Sequence, residues 1–348
     1  MRIAHVMLTK NFAGTERHVL ELAAAQADAG HDVILVLRKK AARAEPNAIA
    51  HRVPANVRLV FVPDWIARWP AIPMARRALR KLSPDVVHVH LDMACRVAIG
   101  LEDIAPRVAT LHLDYDPGHY DHLDGLVAIA PWQLEKVPAR MRTVQIDNWT
   151  SARSAATDAR QRLREQIGAG ADDFVFGAVG RIVNSKGMDV LIDAFEQAAL
   201  PNAKLVIVGQ GRERERLAAR AGRHVVMPGF SAHPENWMAA FDCFVSPARE
   251  EPFGLVLLEA MQAGLPIIAT ATAGARHLSD VMGTDLLAVG DTAALAQALT
   301  AMHASRPGRK DYDMSRFRVA EKVRELDAFY ARLQEDRIGV NRRQPSSS

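Results

Sequence analysis

The chain has 348 residues, enough for two domains that each bury a core. Because 49% of its residues are hydrophobic and 24% are charged, and because no apolar run reaches the roughly 18 residues of a membrane span, the composition excludes disordered, fibrous and membrane-spanning classes. The formal net charge of +4 is small for this length, so we expect no nucleic-acid partner.

The first apolar run contains His5 and ends at Lys10, which is too short for a signal peptide. The two cysteines, Cys95 and Cys243, lie far apart in apolar segments and neither belongs to a CxxC pattern. This usage indicates buried, reduced thiols rather than a zinc or redox site. We therefore expect a cytoplasmic protein.

Short apolar strands alternate with helical patterns along the whole chain, which predicts parallel βαβ units and an α/β fold. A helical rhythm over 16–29 closes at Gly30, a helix C-terminal signal. In the first half the predicted strands are 3–8, 33–37, 59–62, 86–90, 108–111, 126–129 and 143–146. In the second half they are 175–179, 205–208, 225–227, 243–246, 267–269 and 286–289.

A basic stretch from Trp65 to Lys81 mixes aromatic, aliphatic and basic residues. Two prolines restrict it to a short helix. One interpretation is a surface helix that buries Ile72, Ala75 and Leu79 and solvates its arginines. The alternative is peripheral contact with the inner face of the plasma membrane, or with an anionic acceptor.

The alternation of predicted strands and helices is interrupted once, at 151–172. This interruption divides the chain into two Rossmann-like domains in series. The later helical stretch 317–333 is amphipathic and needs a partner surface. The expected divisions are a first domain at 1–150, a hinge region at 151–172, a second domain at 173–308, a C-terminal helical segment at 309–338 and a disordered polar tail at 339–348.

Ligands of doubly wound domains bind beyond the carboxyl ends of the strands, so the residues that follow each strand are the candidates for a site. After the strand at 175–179, Gly180 and Arg181 begin a loop that ends at Lys186 and Gly187, before a helix over 189–198. Two cations and a helix N-terminus can hold a phosphate. A solvated loop remains the alternative, because such loops are common.

A more specific pattern follows the strand at 243–246. Glu251 lies where Pro252 and Gly254 interrupt the chain, and Glu259 lies eight positions later within an apolar helix. A carboxylate in such a helix is costly unless it has partners. Eight helical residues span about 12 Å, so one ligand could contact both ends while helix N–H groups hold its phosphates. The alternative is a surface-facing Glu259 and a Glu251 that only complements the helix dipole.

These residues together resemble glycosyltransferase family 4, and the resemblance covers most of the chain. It implies the GT-B fold: two Rossmann-like domains facing a central cleft, with the C-terminal helix crossing back to the first domain. It also implies a retaining enzyme that needs no metal ion and takes a nucleotide-sugar as substrate. The positions that carry it are Arg181, Lys186, Glu251, Phe253, Gly254, Glu259 and the stretch 264–269.

The family's site residues transfer onto matching positions. In the family the arginine and lysine hold the diphosphate, the first glutamate meets the donor sugar and the second holds the ribose. A weaker match places Phe230 and Ser231 beside the base. The donor-binding residues implied are Gly14, Gly180, Arg181, Lys186, Gly209, Phe230, Ser231, Glu251, Phe253, Gly254, Leu255 and Glu259.

In the first half, the loop before Thr15 and Glu16 resembles the family's glycine-rich loop that faces donor phosphate and acceptor, so these two residues are the expected acceptor contacts. His112, which follows the strand at 108–111, matches the family histidine near the transferred sugar. The catalytic residues implied are His112, Arg181, Lys186 and Glu251.

Two patterns could instead indicate a metal. Asp114 and Asp116 form a DxD sequence of the kind that metal-dependent glycosyltransferases of the other major fold use, and we discount it because cations already supply the positive charge. His88 and His90 alternate on a buried strand, which favours a core or strand-end role.

The chain departs from the family pattern in three places. Ala13 stands where a second glycine is frequent, which predicts a narrower acceptor route. The stretch from Gly274 to His277 lacks an acidic residue, which puts a donor contact in doubt. Trp149 follows Asn148 where the family usually has glycine, which predicts a different turn.

The sequence therefore predicts transfer of a sugar from a nucleotide diphosphate donor, with UDP favoured over GDP, to a glycan or glycolipid acceptor of the cell envelope such as lipopolysaccharide. A sugar-nucleotide epimerase or a phosphorylase shares the architecture and remains an alternative. A nicotinamide dehydrogenase or a non-catalytic nucleotide-binding protein is a further one, although the first strand lacks the GxGxxG pattern that such cofactors favour.

Overall fold

A computed structural model describes residues 1–9, 12, 14–43, 45, 48–63, 71–151 and 153–343, with side chains described as far as residue 338. The described residues divide into two compact units. The first unit contains residues 1–151 together with 316–348, and the second contains 152–315.

The first unit is built on a parallel sheet whose described strands run in the order β3-β2-β1-β4-β5-β6-β7. Its elements up to the unit boundary are β1 (Arg2–Met7), α1 (Gly14–Asp28), β2 (Asp32–Arg38), β3 (Arg58–Val62), α2 (Ala71–Leu82), β4 (Val86–His90), α3 (Asp92–Ala98), β5 (Arg107–Leu111), α4 (Pro117–Tyr120), β6 (Gly125–Ala128), α5 (Pro131–Leu134) and β7 (Thr143–Gln145).

The second unit repeats this plan, with its described strands in the parallel order β10-β9-β8-β11-β12-β13. Its elements are α6 (Ala159–Gln166), β8 (Phe174–Val179), α7 (Met188–Ala198), β9 (Ala203–Val208), α8 (Arg214–Arg220), β10 (Val225–Gly229), α9 (Pro234–Ala240), β11 (Cys243–Ser246), α10 (Leu255–Gln262), β12 (Ile267–Thr270), α11 (Ala273–His277), α12 (Ser279–Met282), β13 (Leu286–Leu287) and α13 (Thr292–Ser305).

The predicted pair of doubly wound parallel sheets is confirmed, and each predicted strand is present with ends within two residues of the expected ones. The strand order reverses between β1 and β4 in the first sheet and between β8 and β11 in the second. Such reversals open a crevice at the carboxyl ends of the strands. The loops after β8 and β11 therefore lie at the reversal point of the second sheet.

The helix α14 (Val319–Arg343) follows the second unit in the chain and packs on the first. Its apolar face buries Leu326, Phe329 and Tyr330 against a core that contains Ile3 and Val86. This is the return of the C-terminal helix to the first unit that the resemblance implied. The helix continues into the stretch predicted as a tail, and residues 344–348 lie outside the described residues.

Two arginines tie α6, which lies within the stretch predicted as the hinge region, to the second unit. Arg160 donates to Asp242 over 2.6 Å, and Arg164 donates to the same carboxylate over 3.0 Å. Asp242 in turn accepts a 2.8 Å hydrogen bond from the Val175 backbone, and these donors lower its pKa although burial opposes them. The helix is thus anchored to the start of β8.

Of the basic stretch from Trp65 to Lys81, residues 65–70 lie outside the described residues. The remainder contains α2, which buries Ala75 and Leu79 as expected, whereas Ile72 is only partly buried against the same core. Its Arg76 and Arg80 donate to backbone carbonyl groups at the C-terminal end of α3 rather than standing free. In the part of the chain that the structure describes, no helix combines the length and apolar character needed to cross a membrane.

Both cysteines are free and buried, as the sequence indicated. Burial raises the pKa of the Cys95 thiol to about 12 and raises that of Cys243 as well. Both therefore remain thiols at neutral pH, which makes them poor nucleophiles and poor metal ligands.

Candidate active site

The two loops at the reversal point of the second sheet meet through an ion pair. Lys186 Nζ lies 2.6 Å from Glu251 Oε2, and their side chains are only 18% and 15% exposed. Lys186 belongs to the loop after β8 and Glu251 to the loop after β11, so the fold brings together two of the predicted site residues. Glu251 is placed by its backbone carbonyl, which accepts a 2.8 Å hydrogen bond from the Gly274 N–H.

A second ion pair holds these loops together. The two guanidinium nitrogens of Arg249 each lie 2.8 Å from one carboxylate oxygen of Asp189, in the first turn of α7. This hydrogen-bonded guanidinium lowers the pKa of the Asp189 carboxyl. The backbone N–H groups of Arg249 and Glu250 also donate to the Ser185 carbonyl, over 2.9 and 3.1 Å. The position of Lys186 relative to Glu251 is therefore fixed by contacts on both sides.

Sequence reasoning missed Arg249 and Asp189. Both residues lie beside predicted site elements. Arg249 directly precedes Glu250 and Glu251, and Asp189 is the first residue of the predicted helix over 189–198. Their pairing spans 60 positions and joins two different βα loops, so no local periodicity reveals it. The available signal was the reversal-point rule itself, which places the ends of β8 and β11 side by side.

The glycine after Lys186 is required by its surroundings. Gly187 has a φ of 63°, in the left-handed region, and a Cβ at this position would collide with the carbonyl oxygen of Pro247. Helix α7 begins at the next residue. Close approach of the two loops thus depends on the absence of a side chain here.

Arg181 stands apart from this paired network. It lies in the same loop and is exposed, and its guanidinium makes no hydrogen bond or ion pair with any residue that the structure describes. Its neighbour Ile182 is buried and accepts a backbone hydrogen bond from Glu213, which anchors the loop without using the guanidinium. Arg181 is therefore a cation available for a ligand.

Helix α10 begins directly after Gly254, whose φ is 97°. Phe253 is 2% exposed and packs 5.6 Å from the ring of His277, so the helix start is anchored by a buried aromatic side chain. The first N–H groups of a helix lack intrahelical partners and favour anions. The start of α10, at Leu255, lies four residues from Glu251 and so adds donors to the same loop.

Glu259 lies further along α10 and lines a cavity of about 250 Å³. The cavity is also bordered by Glu235 of α9 and by three arginines. Arg309 donates to the Ala263 carbonyl over 2.7 Å at the end of α10. Glu259 is therefore at a cavity wall rather than on an open helix surface. The arginines lining the cavity are Arg153, Arg160 and Arg309.

The loops after β9 and β10 adjoin this region through the backbone. The Gly209 N–H donates to the Gly229 carbonyl over 2.8 Å, and a Cβ on Gly209 would collide with the carbonyl oxygen of Gly180. Phe230 is 46% exposed, and the hydroxyl of Ser231 accepts from the His233 N–H over 3.1 Å. An exposed ring next to a β-strand end is suited to stack on a planar base.

The predicted residues of the first unit lie at the start of α1 and after β5. Gly14 begins α1, and Thr15 and Glu16 form its first turn. His112 is half-buried, and burial lowers its pKa to about 4. The ring of His18, one turn along α1, lies 5.6 Å from the ring of His112. The structure thus places α1, the helix that begins at the predicted acceptor loop, beside the predicted catalytic histidine.

The DxD carboxylates are both engaged. Asp114 accepts from Lys136 over 2.7 Å, and Asp116 caps α4 by accepting from the Gly118 N–H over 2.8 Å. His119 lies 3.0 Å from the other oxygen of Asp116. These two carboxylates therefore serve local structure.

The three departures from the family pattern have different outcomes. Ala13 lies outside the described residues. Gly274 donates its N–H to Glu251, so this stretch contacts the candidate site through its backbone. Trp149 is 3% exposed and stacks on His18 with 3.7 Å between ring centroids. The indole is thus part of the core of the first unit.

Known glycosyltransferases match this chain over most of its length. A family model described as "Glycosyl transferases group 1" matches residues 173–305, and one described as "Glycosyltransferase Family 4" matches residues 12–165. The phosphatidyl-myo-inositol mannosyltransferase of Mycobacterium leprae is 30% identical, with 90% of this chain and 89% of that protein aligned. The lipopolysaccharide core biosynthesis glycosyltransferase LpsE of Rhizobium meliloti is 27% identical, with 86% and 88% aligned.

Two other curated relatives match over shorter stretches, and the chain spans 42% and 60% of their lengths. Among solved structures, Anabaena HepE in complex with UDP-glucose superposes with a TM-score of 0.71 at 20% identity. That superposition covers 97% of this chain and all of HepE, and at this identity it concerns the fold alone.

Proposed function

The chain belongs to glycosyltransferase family 4, and from this premise we propose that its second unit binds the diphosphate of a nucleotide-sugar through Arg181 and Lys186 without a metal ion. The protein is a glycosyltransferase with the GT-B fold. The reaction we propose is retaining transfer of the sugar from a UDP-sugar, with a GDP-sugar second, to a glycan or glycolipid acceptor.

The observation that carries this proposal is the fixed ion pair between Lys186 and Glu251. A diphosphate that approaches Lys186 offers oxygens equivalent to those of the carboxylate, so the ammonium can turn to the phosphate. Glu251 is then free to accept hydrogen bonds from sugar hydroxyl groups. One pair of side chains would thereby contact both sides of the bond that breaks.

The chemistry needs stabilisation of charge. Cleavage of the anomeric bond leaves a nucleoside diphosphate with new negative charge, and preorganised cations and helix N–H groups stabilise it. Arg181, Lys186 and the start of α10 supply these groups. In this proposal Glu259 holds the ribose and Phe230 stacks beside the base.

The remaining assignments follow the same reasoning. His112 contacts the transferred sugar, and Thr15 and Glu16 contact the acceptor. The choice of UDP is supported by the UDP-glucose bound to HepE, and the choice of a lipid-linked envelope acceptor by the names of the two aligned relatives. We propose a cytoplasmic protein, with α2 and the segment before it as a candidate contact with the inner membrane surface.

A binding experiment tests the donor site directly. Calorimetric titration with UDP, GDP and ADP should show the tightest binding for UDP and the same affinity in the presence of EDTA. Lys186→Met removes the charge at similar length and should weaken UDP binding and lower kcat/KM by roughly 10- to 100-fold, since a hydrogen bond to a charged group contributes about 1.5 to 3 kcal/mol. Lys186→Arg is the matched control that keeps the charge.

Three results would contradict the proposal. If Lys186→Met binds UDP and transfers sugar at wild-type levels, Lys186 is not part of the donor site. Loss of all transfer on chelation would show that a metal ion supplies the charge instead. Conversion of a UDP-sugar to its epimer without any acceptor would favour the epimerase alternative, and product chromatography distinguishes that outcome from slow hydrolysis.

A further inference from the structure

A chain of hydrogen-bonded imidazole rings crosses the interior of the first unit and ends at His112. Nε2 of His112 lies 3.3 Å from Nδ1 of His90, and Nε2 of His90 lies 3.0 Å from Nδ1 of His5. Nε2 of His5 lies 2.6 Å from Oε1 of Gln26, on α1. His5, His90 and Gln26 are all 0% exposed. We call these four side chains the histidine relay.

The sheet register places the rings next to one another. His5 lies opposite His88 in the parallel pairing of β1 with β4, and His90 lies opposite Thr110 in the pairing of β4 with β5. Alternate residues of a strand point to the same face, so the rings of His88 and His90 share one side of the sheet. Their centroids are 4.4 Å apart.

The orientation of the Gln26 amide, with Oε1 towards His5, sets the tautomer of every ring in the relay. A neutral imidazole carries one N–H and one lone pair, and an amide oxygen only accepts. Since Gln26 Oε1 accepts from His5 Nε2, Nδ1 of His5 carries the lone pair and accepts from His90 Nε2. Nδ1 of His90 then accepts from His112 Nε2. Nδ1 of His112 is left with the lone pair, and it makes no hydrogen bond to any residue that the structure describes.

Burial keeps these rings uncharged, which the tautomer argument requires. It lowers the pKa of His5 and of His112 to about 4 and lowers that of His90 well below its usual value. His88 and His18 adjoin the relay, and burial lowers their pKa as well. A cationic ring would donate from both nitrogens and would break the alternation of donor and acceptor.

A metal ion is the competing explanation for so many buried histidines. His5, His88 and His90 offer nitrogens that all lie within 4.8 Å of one another. All six of their ring nitrogens, however, already have partners. Those of His88 lie 2.6 Å from the Tyr330 hydroxyl and 2.8 Å from Thr110 Oγ1. To coordinate a metal ion, these rings would have to rotate and lose hydrogen bonds that they already make. The geometry therefore favours the relay.

We propose that His90 and His5 are positioning residues that hold His112 as a neutral Nε2–H tautomer, with its Nδ1 lone pair available to accept a hydrogen bond from a hydroxyl group of the transferred sugar. This inference rests on the proposed function, in which His112 contacts that sugar. It assigns His112 the role of acceptor and not of a cation that binds phosphate. The donor phosphates are left to Arg181 and Lys186.

Nuclear magnetic resonance tests the relay without any assay of activity. Long-range ¹H–¹⁵N correlation spectra of protein with ¹⁵N-labelled histidine distinguish the two neutral tautomers from the imidazolium ion. At pH 7 the wild-type protein should show His5, His90 and His112 as Nε2–H tautomers. In His90→Phe, which keeps an aromatic ring but removes the acceptor, the signal of His112 should move towards a mixture of tautomers.

Kinetics separate positioning from a merely structural role. His90→Phe should lower kcat by roughly 10- to 100-fold, as loss of a group that orients a catalytic side chain does, while the Kd for UDP stays within twofold. His90→Asn removes the ring but keeps an oxygen near the place of Nδ1, so it should recover part of kcat. A structural defect would affect both variants alike. Substitution of the exposed His51 by Gln is the control for changed histidine content.

The inference is overturned by wild-type spectra that show His112 as an imidazolium or as the Nδ1–H tautomer, or by one equivalent of zinc in the purified protein that is lost in His88→Phe. Equal kcat in His90→Phe and wild type also overturns it. A protein that neither binds UDP nor transfers sugar, but shows the expected tautomers, would contradict the proposed function and leave the relay standing.

Discussion

Acidification should unfold the first unit selectively. His5 and His112 are neutral in the folded protein because burial lowers their pKa from 6.5 to about 4. The unfolded chain binds protons at these residues more readily, so stability is fully present above pH 6.5 and is lost as the pH falls towards 4. The same direction holds for His18, His88 and His90.

The magnitude at pH 5 follows from these values. With a pKa of 6.5 in the unfolded chain and about 4 in the folded one, protonation of each of His5 and His112 stabilises the unfolded chain by about 2 kcal/mol. This figure is limited by the unfolded pKa, so the other three histidines can add at most about 2 kcal/mol each. The cluster then costs up to roughly 10 kcal/mol, comparable to the whole stability of a domain.

Urea unfolding followed by circular dichroism at pH 7.5 and pH 5 measures this effect. In the second unit, Asp189 and Asp242 have lowered pKa values, so their carboxylates stay ionised at pH 5. The unfolding transition of the second unit should therefore shift much less between the two pH values. His5→Leu should reduce the loss of unfolding free energy between the two pH values by about 2 kcal/mol. In contrast, His51→Gln should leave that loss unaltered, because the His51 ring is exposed.

Equal unfolding free energies at pH 7.5 and pH 5 for both transitions would refute the reasoning. They would mean that the buried rings are already protonated at neutral pH, or that water reaches them in the folded state. If the unfolding free energy of His5→Leu falls between pH 7.5 and pH 5 by as much as that of the wild type, His5 does not contribute to the pH dependence.

Three further predictions follow from single contacts. Gly187→Ala should lower the unfolding free energy by at least about 2 kcal/mol in urea titrations, since it combines left-handed backbone strain with a backbone collision; an unchanged midpoint would contradict the described loop. Arg249→Met should lower kcat/KM by on the order of 10- to 100-fold, because Asp189 and the loop that carries Lys186 lose their anchor. Arg249→Lys should have an intermediate effect, and calorimetry should show weaker UDP binding by Arg249→Met. Tyr330→Phe should cost about 1 kcal/mol of unfolding free energy by leaving His88 Nδ1 without its partner, and no change would argue that the hydroxyl is not the donor.

The sequence predicted the strands well because both sheets are parallel and covered on both faces. Such strands are continuous apolar runs of four to eight residues, bounded by turn residues, and runs like the one at Val86 need no tertiary information. The same property explains why Lys186 and Glu251, which sequence analysis assigned to one donor site, lie side by side. Parallel strands align their carboxyl ends, so residues after two adjacent strands share one edge.

The rest depended on contacts between distant parts of the chain. The burial of Trp149 against His18, and the bond from Tyr330 to His88 across 242 positions, obey no period that a single sequence displays. Sequence analysis singled out two members of the histidine relay, His90 on a strand and His112 after β5, but nothing in the sequence connects them to His5 on β1 or to Gln26 on α1. Side-chain networks of this kind are specified by packing, and packing is known only once the fold is assembled.

The return of α14 to the first unit has a consequence for synthesis of the chain on the ribosome. Residues 152–315, which are 164 residues, must be translated before the helix that carries Tyr330 exists. At about 5 to 20 residues per second this takes roughly 8 to 30 seconds. During that interval the nascent first unit lacks the cover of its histidine-bearing sheet, while the second unit can close its own sheet as it emerges.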